Sequence, residues 1–357
     1  MEAYSEIMMA AVVLVDMRET WRRSVGIGAG FLVCVAGGAL WQWKRSRLAD
    51  LSAGSELVET NQGVVEIARR GSGYPVLILH GAPGGYDQGL LFGEGTFGDD
   101  VEVISPSRPG FLRTPLDDHK SFADQAALLV ALLDAIDVER PIVVGISCGG
   151  PIALQLAADY PERVAGLVLG SAITTEIDER MYDTGNPVID PLLTSAPVLD
   201  IRSGLLAFLH RFMPVQFIEN MHAGLSTLEG EDLEAYVDYI QNDPAQHAMD
   251  LRFASTIFPA SARIDGTLND ERWCRNLPVV DYETIECPVL VFHGEFDAAV
   301  PIDHAECVIE SLPDVEFVRV EADHLAGVGP DADRVRRAQQ SFVESIIDQV
   351  ESTTAQQ

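Results

Sequence analysis

Residues 142–151 read Ile142-Val143-Val144-Gly145-Ile146-Ser147-Cys148-Gly149-Gly150-Pro151. The run 142–146 is apolar apart from one glycine, which is typical of a strand buried on both faces. Gly145, Ser147 and Gly149 form the pattern G-x-S-x-G, and the proline that follows favours a helix beginning at once. In such a strand–turn–helix the glycines permit a tight turn that exposes the serine hydroxyl. The stretch therefore predicts Ser147 as a nucleophile, rather than a glycine-rich connector without chemistry.

A serine nucleophile needs a base and a group that orients the base, and the chain offers both in a consistent order. Asp297 comes shortly after the apolar run 289–292, and His324 follows the predicted strand 315–320. We therefore predict that His324 takes the proton of Ser147 and later returns it to the leaving group, while Asp297 orients His324.

A glycine-rich segment, His80-Gly81-Ala82-Pro83-Gly84-Gly85, directly follows the apolar run 76–79. Small residues such as Gly81 allow backbone amides to approach a substrate oxygen. We predict that the backbone N–H groups of Ala82 and Cys148 donate to the negative oxygen of an acyl transition state, because Cys148 is the residue after the nucleophile.

Several other residues have a structural interpretation that outweighs a catalytic one. Cys148 occupies the variable position of the motif and fits a small buried hydrophobe better than a nucleophile. Asp323 rivals Asp297 only by its proximity to His324, and Asp303 lies inside a predicted helix. His80, His293 and Arg108 are expected to be structural, since each catalytic role already has an occupant.

Beyond residue 55, apolar runs of strand length alternate with segments of helical periodicity. Strands are predicted at 57–59, 64–68, 76–79, 101–104, 142–146, 164–169, 289–292 and 315–320. Helices are predicted at 121–136, 151–160, 303–312 and 332–350. The alternation predicts an α/β fold with a mostly parallel central sheet and helices on both faces.

The alternation is interrupted by about 120 residues between the sixth and seventh strands, where a bare crossover needs about a dozen or somewhat more. We predict that the first segment of the α/β core spans 56–171, that an inserted helical cap spans 172–285, and that the second segment of the core spans 286–357. The cap should lie over the carboxyl edge of the sheet, where open α/β sheets bind ligands. Its apolar residues either line the substrate site or pack within the cap: Leu205, Phe208, Phe212, Met213 and Phe217.

From about residue 57 to residue 350 the chain resembles the α/β-hydrolase superfamily, specifically its capped branch of esterases, C–C hydrolases, epoxide hydrolases and prolyl aminopeptidases. The resemblance rests on H-G-A-P-G-G at 80–85, S-R-P-G-F at 107–111, G-I-S-C-G-G-P at 145–151 and H-G-E-F-D-A-A-V-P at 293–301. It implies the α/β-hydrolase fold, a Ser-Asp-His triad and a cap. Epoxide hydrolases use an aspartate nucleophile, so Ser147 argues against them, and Ala82 departs from the H-G-G-P-G of prolyl aminopeptidases.

We expect a serine hydrolase that cleaves a carboxylic ester or related acyl bond of a small to medium, largely apolar substrate through an acyl-enzyme. A prolyl aminopeptidase or C–C hydrolase on the same triad is the alternative; a non-catalytic binding protein displayed at a membrane is the alternative of another class. No metal or organic cofactor is expected, because the five cysteines are scattered and no two histidines lie three or four positions apart.

Residues 24–43 are 20 consecutive uncharged residues, about the length that spans a bilayer core. Basic residues flank both ends, and two tryptophans lie near the second end, where interfacial aromatic residues would lie: Arg22, Arg23, Lys44, Arg45, Arg47, Trp41 and Trp43. We predict a tail at 1–23, a transmembrane anchor of undetermined orientation at 24–43 and a linker at 44–55. The alternative is export, with the segment cleaved as a signal peptide near residues 36–38.

The composition is strongly acidic. A net charge of −31, from 55 acidic against 24 basic residues, argues against nucleic acid as a partner because phosphate backbones attract basic surfaces. Only Lys44 and Lys120 are lysine, so the other 22 bases are arginine. This balance is typical of proteins from salt-loving organisms, in which molar salt screens carboxylate repulsion. The alternative is an acidic protein encoded by a GC-rich genome. Neither the substrate nor the oligomeric state is indicated by the sequence.

Overall fold

The apolar runs of the sequence form the strands of one sheet. The computed structural model describes residues 37–98, 100–177 and 185–354. The strands, in chain order, are β1 (Glu56–Glu59), β2 (Val64–Gly71), β3 (Tyr74–Leu79), β4 (Val101–Pro106), β5 (Ile142–Ile146), β6 (Gly166–Gly170), β7 (Val289–Gly294) and β8 (Val315–Val320). Each predicted strand is present within a few residues of its expected bounds.

Six neighbouring strands of this sheet run parallel. In the described part of the chain the order is β1-β2-β4-β3-β5-β6-β7-β8. The pairs β1–β2 and β2–β4 are antiparallel, and every other neighbouring pair is parallel. The carboxyl ends of the parallel strands β3, β5, β6, β7 and β8 therefore lie along one edge, which brings together loops that are far apart in sequence.

The central strands are buried on both faces, which explains why they lack a polar alternation. On β3, Leu77 and Leu79 pack into one apolar cluster, whereas Val76 and Ile78 pack into the cluster on the other face. The same division applies to β5, where Val143 faces the first cluster. The mostly parallel α/β sheet predicted from the sequence is thus present, with a core on each side.

Helices cover both faces of the sheet. In the described part of the chain, the helices outside the insertion that belong to the same unit as the sheet are α2 (Tyr86–Gly93), α3 (Phe122–Ala135), α4 (Gly150–Asp159), α11 (Asp303–Ser311) and α12 (Ala332–Thr354). A further helix, α1, precedes β1 at residues 37–53. Helices α3, α4 and α11 supply residues to the cluster that contains Leu77, and α12 supplies residues to the opposite cluster. Helix α2 is absent from the sequence-based prediction, because it is short and contains two glycines.

The long interruption between β6 and β7 is helical in its described part. It carries α5 (Asp190–Leu193), α6 (Ala196–Phe212), α7 (Pro214–Leu225), α8 (Gly230–Asn242), α9 (Pro244–Ser255) and α10 (Ile264–Cys274). The sequence predicts an inserted helical cap at 172–285, and these six helices lie within that range. It belongs to the same compact unit as the sheet, and that unit runs from Asp50 onward.

The N-terminal predictions fall largely outside the described residues. Within the described ranges no helix is long and apolar enough to cross a bilayer. Residues 24–36 of the predicted anchor, and the whole predicted tail, lie outside those ranges. The predicted linker at 44–55 differs from the structure, because residues 37–53 form α1. Its sequence, rich in Leu, Arg and Ala, has the helix propensity that a linker interpretation overlooks.

Candidate active site

Ser147 lies at the carboxyl end of β5, in a tight turn that leads directly into α4. Its φ of 51° is in the left-handed region, which is strained for a residue with a side chain, at about 1–3 kcal/mol. The two flanking glycines permit the turn: a Cβ at Gly149 would overlap the Leu79 carbonyl oxygen, and one at Gly145 would lie 2.7 Å from Ala153 Cβ. The turn predicted from G-x-S-x-G is therefore formed, and both glycines are required by close packing.

His324 lies in the loop after β8 and reaches Ser147 across the edge of the sheet. Its Nε2 is 3.1 Å from Ser147 Oγ, and its Nδ1 is 2.8 Å from Asp297 Oδ2. An ionised Asp297 can only accept, so Nδ1 carries the proton and Nε2 accepts from the serine hydroxyl. The structure thus brings together the three residues singled out in the sequence, in the hydrogen-bonding order of a nucleophile, a base and an orienting acid.

Asp297 is held from several directions in the loop after β7. Its Oδ1 accepts from the backbone N–H groups of Ala299, at 2.9 Å, and Val300, at 2.8 Å. Its Oδ2, which bonds His324, also lies 3.3 Å from His293 Nε2. Burial by itself would raise the pKa of Asp297, but the charge of His324 and the hydrogen bonds from His293, His324 and Val300 outweigh it and lower the pKa to about 2. Asp297 is therefore an anion at neutral pH.

His293 contacts the site more closely than the sequence suggests. It is buried, and its Nε2 lies 2.8 Å from the Val300 carbonyl oxygen as well as near Asp297. His293 is therefore part of β7 and also helps to hold Asp297 in place. In the sequence, the contact is indicated only by the spacing of four residues between His293 and Asp297. This spacing does not predict a contact until the conformation of the turn between them is known.

The loop 80–85 lies directly beside the nucleophile. A Cβ on Gly81 would be 3.1 Å from Ser147 Cβ, so a glycine at this position allows the loop to approach the serine. The Gly81 carbonyl accepts from His80 Nδ1 at 2.6 Å and from Arg108 Nη2 at 3.3 Å. Because C=O and N–H point in opposite directions across a trans peptide, this anchoring turns the Ala82 N–H away from Arg108. Ala82 lines the same cavity as Ser147 and His324.

Cys148 has its side chain in the apolar core, against the cluster that contains Leu77. This placement agrees with its interpretation as a small buried hydrophobe. Only its backbone is next to the serine, which is the part that the predicted role requires.

Arg108 and Asp270 form a buried ion pair beneath the loop 80–85. Two parallel hydrogen bonds join them, Nη1–Oδ1 at 3.0 Å and Nη2–Oδ2 at 2.6 Å. The Arg108 Nε also donates to the His80 carbonyl oxygen at 2.9 Å. Arg108 thus has a structural role, as expected, and this role includes holding the loop beside the nucleophile. Asp270, on α10, has no sequence signal, since it lies 162 positions from its partner.

A cavity of about 1080 Å³ opens above Ser147 and His324. The cap contributes part of its apolar lining, including Leu206, Leu209 and Phe217, and the core contributes the rest, including Val144 and Phe292. A cavity of this size and character accommodates a small to medium apolar ligand beside the serine.

The structure divides the five apolar cap residues singled out in the sequence. Met213 and Phe217 line the cavity. Leu205, Phe208 and Phe212 do not line it, and 59%, 54% and 66% of their surfaces are exposed. The rings of Phe208 and Phe212 pack against each other, with their centroids 4.7 Å apart. Helical spacing alone does not distinguish the two faces of α6, because Leu206 and Leu209 make the cavity-facing side equally apolar.

The comparisons with known proteins agree with this architecture. Residues 74–328 match the protein family described as alpha/beta hydrolase fold. The chain is 28% identical over 296 residues to YcgS, an uncharacterized hydrolase of Bacillus subtilis (strain 168), covering 81% of this chain and 98% of that protein. It is 28% identical over 243 residues to 2-hydroxymuconate semialdehyde hydrolase of Pseudomonas sp. (strain CF600), covering 65% and 73%. An alpha/beta hydrolase fold protein from Nakamurella multipartita has a TM-score of 0.70 and 27% identity, covering 80% and 96%.

Proposed function

The chain belongs to the α/β-hydrolase family, and on that premise we propose that it is a serine hydrolase cleaving carboxylic esters or related acyl bonds through an acyl-enzyme. One observation carries the proposal: Ser147 and His324 line a largely apolar cavity, and a line of hydrogen bonds runs from Ser147 through His324 to Asp297. The apolar lining supports a small to medium substrate with a hydrophobic acyl or alcohol part.

In the proposed reaction, Ser147 Oγ attacks the acyl carbon while His324 Nε2 takes the hydroxyl proton. The negative oxygen of the tetrahedral intermediate accepts hydrogen bonds from the Ala82 and Cys148 N–H groups. The intermediate collapses as the bond to the leaving group breaks, and His324 gives its proton to the departing alcohol. A water molecule, deprotonated by His324, then hydrolyses the acyl-enzyme and restores the serine hydroxyl. Asp297 stabilises the imidazolium in both halves.

The test uses the full chain, purified in high salt, beside its Ser147→Ala variant. Both are offered p-nitrophenyl esters from acetate to dodecanoate, and Ser311→Ala, which changes an exposed serine on α11, is the control. We expect ester cleavage in the wild type and the control, and a loss of at least about 10³-fold in Ser147→Ala. The preferred acyl length then indicates how long an acyl chain the cavity accepts. Equal cleavage by Ser147→Ala would overturn the proposal.

C–C bond hydrolysis on the same triad is the second candidate, favoured by the likeness to a 2-hydroxymuconate semialdehyde hydrolase. Prolyl aminopeptidase activity on the same triad is the other alternative, and it requires a cap carboxylate that can hold a free amine. Cleavage of Pro-p-nitroanilide without ester cleavage would support the aminopeptidase. A folded protein that does not react with a fluorophosphonate at Ser147 would support a binding protein without activity.

We further propose that residues 24–43 anchor the protein to a membrane, because an uncharged run of this length flanked by basic residues fits a bilayer span. Retention of the full chain in membranes after an alkaline carbonate wash is the expected result. A soluble protein with a mature N-terminus near Ala39 would show cleavage instead.

A further inference from the structure

His222, on cap helix α7, is completely buried between two carboxylates. Its Nδ1 lies 2.5 Å from Asp323 Oδ2, and its Nε2 lies 2.8 Å from Asp250 Oδ2. All three side chains are inaccessible to solvent. Because ionised carboxylates only accept hydrogen bonds, a ring that faces one at each nitrogen is an imidazolium. We call these three residues the clamp.

The clamp is a strongly proton-binding group. Burial would lower the pKa of His222, but the hydrogen bonds and charges of Asp250 and Asp323 outweigh it and raise the pKa to about 9. Burial also raises the pKa of Asp250, against the opposing effect of His222. The buried charge of His222 therefore persists through neutral pH.

One end of the clamp is bonded to the segment that carries His324. Asp323 is its direct neighbour, and Asp323 Oδ1 accepts from the Leu325 N–H at 2.9 Å, closing a turn around His324. The Asp323 N–H donates to Tyr236 Oη of cap helix α8 at 3.4 Å. Asp323 is thus bonded to the cap through its side chain and its backbone.

The helix that carries His222 is also bonded to both loops of the site. At the carboxyl end of α7, the Leu225 carbonyl oxygen accepts from the Ala298 N–H at 3.0 Å and from the His324 N–H at 3.4 Å. The Thr227 N–H donates to the Phe296 carbonyl oxygen at 2.8 Å. Helix α7 therefore contacts the loops of Asp297 and His324 together, and His222 adds a bond from α7 to Asp323.

We propose that His222 is a positioning residue for the reaction: by joining Asp250 of the cap to Asp323, it holds His324 in line with Ser147 and Asp297. The inference rests on the proposed hydrolase function and adds to it a residue that never touches substrate. It makes the docked cap a condition for correct placement of the base, so loss of the clamp should slow the chemical step more than it weakens substrate binding.

The experiment measures kcat and KM for a p-nitrophenyl ester in the full chain, with active sites counted by fluorophosphonate titration. The test variant is His222→Gln. The matched control is His210→Gln on α6, because His210 is also a cap histidine and its Nε2 bonds the Leu251 carbonyl oxygen inside the cap. We expect His222→Gln to lower kcat per titrated site by about 10- to 100-fold, the penalty of small misplacements, with KM within about threefold. The control variant should have the same kcat per titrated site and the same KM as the wild type.

An unchanged kcat per titrated site in His222→Gln would overturn the proposal, since a merely structural role reduces the number of active sites and not their rate. If that variant does not fold, Asp250→Asn decides. Removing one of the two carboxylates lowers the pKa of His222, so the alkaline fall in kcat, expected near pH 9 in the wild type, should move to lower pH. An alkaline limb at the same pH in both proteins would overturn the proposal.

The groups that face the clamp do not obscure this readout. Beyond its two carboxylates, His222 packs against Tyr236, and the centroids of the two rings are 5.7 Å apart. Burial raises the pKa of Tyr236 far above the pH range of the experiment, so Tyr236 does not titrate in it. His247 of α9 acts on Asp250 and is present in both proteins. Failure of the hydrolase proposal is distinct, because ester cleavage would then survive Ser147→Ala, whereas failure of the clamp leaves Ser147-dependent cleavage intact in His222→Gln.

Discussion

Among the single residues of the site, Asp297 is the one whose ionised side chain orients the ring of His324. One of its oxygens accepts from His324 and the other from two backbone amides. A side chain that replaces it must therefore offer two acceptor atoms in the same positions. An asparagine there would present an N–H to His324 Nδ1 and favour the wrong tautomer of the ring.

We therefore predict that Asp297→Asn lowers kcat for ester cleavage by about 10³- to 10⁴-fold in protein that is still folded at neutral pH. Steady-state kinetics with titrated active sites measure the loss. The control is Asp303→Asn, since Asp303 is an exposed acid on α11. Comparable activity of Asp297→Asn and the control would contradict the assignment of Asp297.

The pKa of Asp297 also makes a prediction about stability. Because it is lowered to about 2 in the folded protein, ionised Asp297 stabilises the fold above the unfolded pKa, and that contribution disappears as the pH falls to about 2. The depression of nearly two pKa units corresponds to roughly 2 kcal/mol. Urea unfolding between pH 5 and pH 2 should therefore show a steeper loss of stability in the wild type than in Asp297→Asn. Parallel curves would contradict the prediction.

Arg108 and Arg69 offer a comparison of one interaction in two environments. Both make two parallel hydrogen bonds to a carboxylate, but the Arg108–Asp270 pair is buried and the Arg69–Glu102 pair is at the surface. We predict that Arg108→Gln destabilises the protein by about 3–5 kcal/mol, because it leaves a buried carboxylate unpaired. Arg69→Gln should change the free energy of unfolding by less than about 1 kcal/mol. Urea unfolding measures both, and equal effects would contradict the role of burial.

At the scale of elements, helix α3 illustrates how the start of a helix is specified locally. Ser121 Oγ accepts from the Asp124 N–H at 3.1 Å, and the Asp124 carboxylate accepts from the Ser121 N–H at 3.2 Å. This reciprocal pair satisfies two of the amides that the first turn leaves without helical partners.

We predict that Ser121→Ala lowers the free energy of unfolding by about 1 kcal/mol through loss of this cap. Ser311→Ala is a suitable control, because the Ser311 hydroxyl only donates to a carbonyl oxygen within α11. Thermal and urea unfolding should show the difference, and an effect of Ser121→Ala no larger than that of the control would contradict it.

Helix α6 shows the limit of pattern analysis for elements. Apolar residues occupy both its cavity-facing side, with Leu206 and Leu209, and its exposed side, with Leu205 and Phe208. Which side faces the substrate is decided by the packing of α6 against α7 and α9 and not by its own periodicity.

At the scale of the whole molecule, the net charge of −31 dominates behaviour in solution. Mutual repulsion among the carboxylates opposes the compact state, and salt reduces it as the screening length falls from about 10 Å at 0.1 M to about 3 Å at 1 M. We predict that thermal stability and esterase activity rise together between dilute buffer and molar salt. Full stability in dilute buffer would contradict adaptation to high salt and favour the genomic explanation of the composition.

The sequence by itself determined the α/β architecture and the order of the strands along the chain, and it indicated that Ser147, Asp297 and His324 meet at one edge of the sheet. It could do so because each of these residues follows a recognisable strand. Parallel strands place their carboxyl ends along one edge, so residues 147, 297 and 324 converge without any further information about packing. The glycines of G-x-S-x-G are predictable for the same local reason, since the turn requires them.

Only the tertiary structure decided the contacts between the cap and this edge. His222 lies 101 positions from Asp323 and 28 from Asp250, and Arg108 lies 162 positions from Asp270. Such pairs leave no periodic or local signal, because they depend on how the helices of the insertion pack against the sheet. A buried charge is stable only where a partner meets it, and that meeting is a property of the folded chain as a whole.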